Sequence, residues 1–377
     1  MFLVWLVLLL LFIFLVKRLF GPVWPGLFHE DGIGQHVGAF KSLYNWDGQW
    51  FLAIAKYGYA SVPARFGWDI PYVATAFFPL YPLAIRLFSY PLLGNFYAAG
   101  LTVSWLSLLG SLVYLYRLAR IYGTWDDSYR SCLFLLLFPT SIFLIAGYAE
   151  ALLLLCAVAA FYHARRSSWV LAGVWGFLAC LTKSMGLLVF VGVALEAFRQ
   201  AGWKFSGLRR RMAAIALMPL GSIAYMVYLQ IAFGDFKIFT KAEEVGWGRR
   251  LDLIGILRAL KHLIIPSGLT GAKYAENLYL VFFVGLFALL IVYVFKWYGL
   301  PMGAFSLGWL LMIISVGSTD PGFVLMSANR LILPIFPAFL VLGRWGKDRR
   351  FEQVYVVAGT LGLALFTTLF ITGFWAG

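Results

Sequence analysis

Charge is scarce in this chain. Of 377 residues only 12% are Asp, Glu, Lys or Arg, about half the share that soluble domains carry. Hydrophobic residues make up 62%, and the mean hydropathy is +0.86. So few polar groups cannot cover a water-facing surface, which excludes a soluble globular protein. Acids are the scarcer sign, 16 against 30 Lys and Arg. Cysteine is limited to Cys132, Cys156 and Cys180. Each lies within an apolar run, at a spacing that suits neither a disulfide framework nor a zinc site, and all three read as packing residues. Alternating runs of about ten residues, which a membrane β-barrel needs, are missing too. So are a phosphate-cradling glycine loop, a serine-elbow motif and a dinucleotide fingerprint, which leaves a soluble nucleotide-sugar without an obvious place to bind. No nucleic-acid module accompanies the net charge of +14.

What is present is a series of continuous apolar runs. Those at 2–20, 97–119, 131–146, 148–164, 168–183, 185–199, 212–233, 277–296, 300–317, 330–344 and 352–373 predict an all-α polytopic membrane protein with about eleven transmembrane helices. The first reads as an uncleaved helix. No positive stretch precedes it, and Lys17-Arg18 follow it where a cleavage site would need small residues. The positive charge gathers in short connections: Arg117, Arg120 and Arg130; Arg165 and Arg166; Arg199, Lys204 and Arg209 to Arg211; Arg344, Lys347, Arg349 and Arg350. Short basic loops face the cytoplasm, so the N-terminus is expected inside. The external face is then expected to carry a long first loop over 21–96 with interfacial helices, a second loop over 234–276, and the polar stretch 317–329. The segment 75–95 is apolar but interrupted by Pro79, Pro82, Pro91 and Arg86. It reads as interfacial or re-entrant, because a span there would flip every later basic loop. No repeat or low-complexity tract divides the chain, and 1–377 is expected to form one integral membrane domain.

The first external loop holds Tyr44-Asn45-Trp46-Asp47-Gly48-Gln49-Trp50-Phe51, one carboxylate among aromatic rings. Apolar positions 43, 46, 50, 51, 54 and 57 follow a helical period and predict an amphipathic helix lying on the bilayer, capped by Asn45 and ended by Gly58. Asp47 can serve as a general base on a substrate hydroxyl, or it can do no more than offset the dipole of its helix. Glu150 and Lys183 stand at the ends of apolar runs, where ionisable groups are costly unless paired or functional. They can pair with each other, or Lys183 can meet a phosphate. Arg330 can hold a phosphate through two parallel donors or extend from a helix end to the interface. Trp247, followed by Arg249, can stack on a sugar. His29 and His36, near Glu30, Asp31 and Asp47, match no familiar metal spacing, and no metal is expected.

In order along the chain, several stretches resemble the PIG-V family of mannosyltransferases, integral membrane enzymes of the GT-C fold. They are Asn45-Trp46-Asp47 with Gly58-Tyr59, Ala76-Phe77-Phe78-Pro79-Leu80-Tyr81-Pro82, Phe138-Pro139-Thr140-Ser141 through Gly147-Tyr148-Ala149-Glu150, Leu181-Thr182-Lys183-Ser184-Met185-Gly186, Gly234-Asp235 with Trp247-Gly248-Arg249, and Asn329-Arg330 with Leu333-Pro334. The resemblance implies a GT-C-like architecture and an inverting transfer of a sugar, mannose by family, from a polyprenyl-phosphate donor to a lipid-linked or glycan acceptor at the outer membrane face. It implies that Asp47 is the catalytic base. On that reading Trp46, Tyr81 and Trp247 frame the sugar, and Glu150 orients a substrate hydroxyl or Lys183. Lys183, Arg249 and Arg330 hold the lipid phosphate, and no cofactor is needed. Members often carry arginine where Lys183 stands. The chain is also shorter than eukaryotic members, which points to a prokaryotic plasma-membrane enzyme. A lipid-linked sugar flippase is the competing class, but it would set its ionisable residues at the bilayer midplane on broken helices. Another membrane-surface transferase is the remaining alternative.

Overall fold

The computed structural model of the chain describes residues 1–20, 40–65, 67, 69–205, 208–252, 254–264, 271–318, 325 and 327–374. Among the described residues, five helices are long and apolar enough to cross a membrane: Phe2–Phe20, Phe96–Tyr122, Arg211–Phe233, Lys273–Tyr298 and Arg349–Thr372. They coincide with five of the expected runs, and the chain is an integral membrane protein. Arg211–Phe233 is interrupted by turns over 216–219, where Pro219 has no N–H to contribute.

The other apolar runs form shorter helices: Glu150–Arg165, Trp169–Thr182, Leu187–Gln200 and Leu300–Ile314. At 1.5 Å per residue they reach only about 21–24 Å. Glu150–Arg165 packs against both Phe96–Tyr122 and Trp169–Thr182, and its buried Ala151, Ala157, Ala159 and Ala160 let neighbouring backbones approach closely.

Two expected spans are not single helices. In place of 131–146, Trp125–Leu136 stops and a 3-10 turn, Ser141–Leu144, follows; Pro139 lies between them and cannot donate. The run 330–344 divides at Pro334 into Ala328–Leu331 and Phe336–Trp345. Every residue from 327 to 343 is buried, so this segment runs through protein rather than along lipid. Apolar composition signals burial without saying in what.

Segment 75–95 forms one short helix within its apolar stretch. Its helix Leu80–Ser89 has ten residues, about 15 Å, too short to span. It buries Tyr81, Pro82 and Ile85 and turns Leu83 and Leu87 outward. The basic connections find carboxylates among themselves, in the pairs Arg130–Glu352, Lys347–Asp127 and Arg165–Glu196. The loop over 234–276 joins the stretch before residue 319 through a two-stranded antiparallel ribbon, β1 (Arg249–Leu251) and β2 (Val316–Ser318), with Arg249 opposite Ser318.

Candidate active site

Asp47 owes its position to contacts made by its predecessors. Asn45 does not cap the helix. Its Nδ2 donates to the Phe370 carbonyl at 2.7 Å, and its own carbonyl accepts from the Tyr148 hydroxyl at 2.7 Å. The cap is Trp46, with φ 61°, a conformation that costs a non-glycine residue about 1–3 kcal/mol unless its surroundings impose it. The two hydrogen bonds on Asn45 do so, and Gly147 N–H donates to the Leu43 carbonyl at 2.9 Å just upstream. A Cβ on Gly147 would overlap the Tyr44 ring, so only glycine lets these two loops close together.

The helix Asp47–Tyr57 ends at Gly58, as expected, with φ 79°. It does not lie on the bilayer, because every residue from Gly48 to Ala55 is buried. Gly48, Gln49, Ala53 and Ala55 form the face that looked polar or small in sequence, and that face packs against protein. Asp47 opens the helix, so it meets the favourable end of the dipole and the cavity together.

Arg330 binds both carboxylates. Its Nη1 lies 2.8 Å from Asp47 Oδ2 and its Nε 3.3 Å from Glu150 Oε1, while Lys183 Nζ donates to Glu150 Oε1 at 3.1 Å. Two cations and two anions thus close a neutral cluster. Arg330 and Glu150 are each 2% exposed, against 18% for Asp47 and 24% for Lys183. The guanidinium also sits over the Tyr148 and Phe143 rings, a stabilising arrangement for a desolvated cation. Burial alone would lower its pKa, but Asp47 and Glu150 outweigh burial and hold it above the ordinary arginine value. For Lys183 burial wins: it lowers the ammonium pKa, Arg330 and Arg249 push the same way, and Glu150 opposes them. The sequence suggested that Arg330 grips a phosphate or reaches the interface. It is buried, lines the cavity and contacts two carboxylates.

The cluster lines a cavity of about 470 Å³. Asp47, Glu150, Lys183, Glu243, Arg249 and Arg330 line it together with Phe51, Phe77, Phe78 and Trp247. Trp247 is wedged edge-on against Trp50 and Phe77. A second cavity, of about 1000 Å³, shares Phe78, Lys183, Glu243 and Arg249 with the first and continues past Arg250, Met312 and Ile313. Trp46 and Tyr81, expected to frame a sugar, are not in either wall. Tyr81 is fully buried. Its hydroxyl lies 3.1 Å from the Gly100 carbonyl and 2.7 Å from Ser104 Oγ, and its ring props Phe51 from below.

Two residues of the site were missed in the sequence. Glu243 lies 3.4 Å from Arg249, and its place one helical turn before Trp247 was the available signal. Ser327, at φ 66°, accepts from Arg249 Nη2 at 3.3 Å and Arg330 Nη2 at 3.5 Å; nothing in its sequence context announces this. His29, His36, Glu30, Asp31 and most of the stretch 317–329 lie outside the described residues. Among the described residues no group of three His, Cys, Asp or Glu could hold a metal ion. The three cysteines are buried and free.

Comparison with curated proteins gives no match. Among solved structures, ArnT from Cupriavidus metallidurans bound to undecaprenyl phosphate is 15% identical, with 98% of this chain and 72% of that chain covered and a TM-score of 0.55. The same protein in its apo state gives 15% identity, coverage of 98% and 71%, and a TM-score of 0.52. These likenesses show the fold, that of the GT-C membrane glycosyltransferases. The apo Archaeoglobus fulgidus oligosaccharyltransferase gives 13% identity over 100% of this chain and 56% of its own, with a TM-score of 0.46. The family model described as mannosyltransferase (PIG-V) matches residues 32–242, more than half of the chain and the part that carries Asp47, Glu150 and Lys183. On that match, the chain is a member of the PIG-V mannosyltransferase family.

Proposed function

We propose that this mannosyltransferase moves mannose from a polyprenyl-phosphate donor to a hydroxyl of a lipid-linked or glycan acceptor at the external membrane face, with inversion. The observation that carries the reading is a single cavity in which Asp47, fixed by Arg330, shares the wall with Lys183, Arg249 and aromatic rings. Asp47 takes the proton of the acceptor hydroxyl. That oxygen bonds to the anomeric carbon, and the bond from this carbon to the phosphate oxygen breaks. The electron pair leaves with the lipid phosphate. One negative charge disappears at Asp47 as one appears on the phosphate, so the charge inside the cavity is unchanged overall.

Lys183 and Arg249 meet the charge that develops on the phosphate. Trp247 offers a ring face to the sugar, and Glu150 keeps the Lys183 ammonium in place. The larger cavity, basic at Arg249 and Arg250 and apolar at Met312 and Ile313, suits a phosphate followed by isoprene units. The undecaprenyl phosphate bound to ArnT supports the same carrier class. Because the cations supply positive charge, the mechanism is written without a metal. Turnover lost on chelation and restored by a divalent ion would overturn that part.

The test is a reconstituted assay with polyprenyl-phosphate mannose and candidate acceptors. Lys183→Met is expected to slow transfer by about 10²–10³-fold, the usual cost of losing one donor aimed at developing charge, whereas Lys183→Arg keeps most of the activity. Because the Lys183 pKa is lowered, its charge is present below that pKa and lost as pH rises through it. Donor KM is therefore expected to climb on the alkaline side in the wild type and stay flat in Lys183→Arg; identical alkaline limbs would remove Lys183 from phosphate binding.

Sidedness has its own measurement. Lys241 is 61% exposed in the second external loop, and the native cysteines are buried. A Lys241→Cys protein is expected to react with an impermeant thiol reagent added outside intact cells. Labelling from the cytoplasm alone would invert the proposed topology.

A further inference from the structure

A third cavity, of about 900 Å³, lies beyond the Phe77-Phe78 wall and shares no lining residue with the two already described. Ile54, Pro82, Leu83, Leu181, Tyr225 and Tyr228 make up much of its wall. The tyrosines behave here as apolar surfaces. Tyr59 and Tyr225 donate their hydroxyls to the carbonyls of Phe77 and Thr75, each at 2.7 Å, which leaves their rings to the groove.

One charged residue lines the groove, Arg86. It is exposed, and its Nη2 donates to the Lys56 carbonyl at 3.2 Å, which places the exposed Lys56 backbone beside it. Among the described residues no carboxylate lies within ion-pair distance of Arg86. Around the groove Leu83, Leu87 and Val227 are more than half exposed, as side chains that face acyl chains would be. An apolar slot opening on such a surface, with a cation at its edge and no acid to neutralise it, is complementary to a lipid with a negatively charged head.

We propose that this groove binds one anionic phospholipid of the bilayer, an acyl chain against the tyrosine rings and the phosphate diester over Arg86. The site is independent of the reaction proposed above. Because Ile54 and Ala55 belong to the helix that begins at Asp47, the lipid braces that helix from the side away from the chemistry.

The test is native mass spectrometry of the full chain in detergent with equimolar phosphatidylglycerol and phosphatidylcholine. The wild type is expected to retain one phosphatidylglycerol at least fivefold over phosphatidylcholine, in keeping with the attraction of a single basic residue for anionic lipid. The variant Arg86→Ala is expected to lose that preference. Ala224→Trp, which fills the groove without changing charge, is expected to retain less of both lipids. Equal retention of the two lipids by the wild type overturns the proposal, and that measurement needs no variant to fold. A preference that survives both variants also overturns it. So does displacement of phosphatidylglycerol by equimolar undecaprenyl phosphate, which would assign the groove to the donor.

Discussion

Asp47→Asn is expected to reduce transfer by about 10²–10⁴-fold, the range that a positioned general base contributes, while leaving the protein folded and able to hold its donor. Asparagine keeps the volume of the side chain and keeps an oxygen that can accept from Arg330 Nη1, so the 2.8 Å contact survives as a weaker bond. What disappears is the site that takes up the proton. Donor binding, measured by retention of polyprenyl-phosphate mannose, is expected to change by less than about tenfold, because Lys183 and Arg249 remain. A folded Asp47→Asn protein with near-normal turnover would transfer the role of base to another group, and Glu150 would be the next carboxylate to examine.

Arg330→Met is expected to have the larger effect on stability. It removes the counter-charge of two carboxylates at once, one of them 2% exposed. Breaking a buried ion pair by deleting one partner costs about 3–5 kcal/mol. Arg330→Lys restores a charge without the two-armed geometry, so it should recover much of the stability and less of the rate. Wild-type stability in Arg330→Met would remove Arg330 from its supporting role.

The membrane class was legible at once, because five runs long enough to span are continuous in sequence and helical in the structure. The run over 330–344 shows where such reading stops. Residues 330–343 are as apolar as a span, yet they are buried in protein. In the site, Glu150–Lys183 was one of two readings open for residues at apolar helix ends, and the 3.1 Å contact is the simple physical outcome of two opposite charges removed from water. Arg330 was legible as important and not as what it does. Its partner Asp47 lies 283 residues away, and no local pattern encodes a contact of that range. Trp46 and Tyr81 were read as sugar contacts because aromatic rings beside a carboxylate fit carbohydrate. In the structure Trp247 lines the cavity, and Tyr81 packs edge-on against Phe51 behind it.

The bond from Asn45 to the Phe370 carbonyl joins positions 325 residues apart. Translation runs at about 5–20 residues per second, so the stretch carrying Asp47 emerges roughly 15–65 s ahead of its acceptor. Until the helix Arg349–Thr372 has inserted and docked, that hydrogen bond is absent from the support beneath Trp46 and the carboxylate is not yet aimed. A nascent chain still on the ribosome therefore carries Asp47 on a loop that lacks one of its hydrogen bonds, and a chain cut short ahead of Phe370 is expected to insert in the membrane and to lose transferase activity.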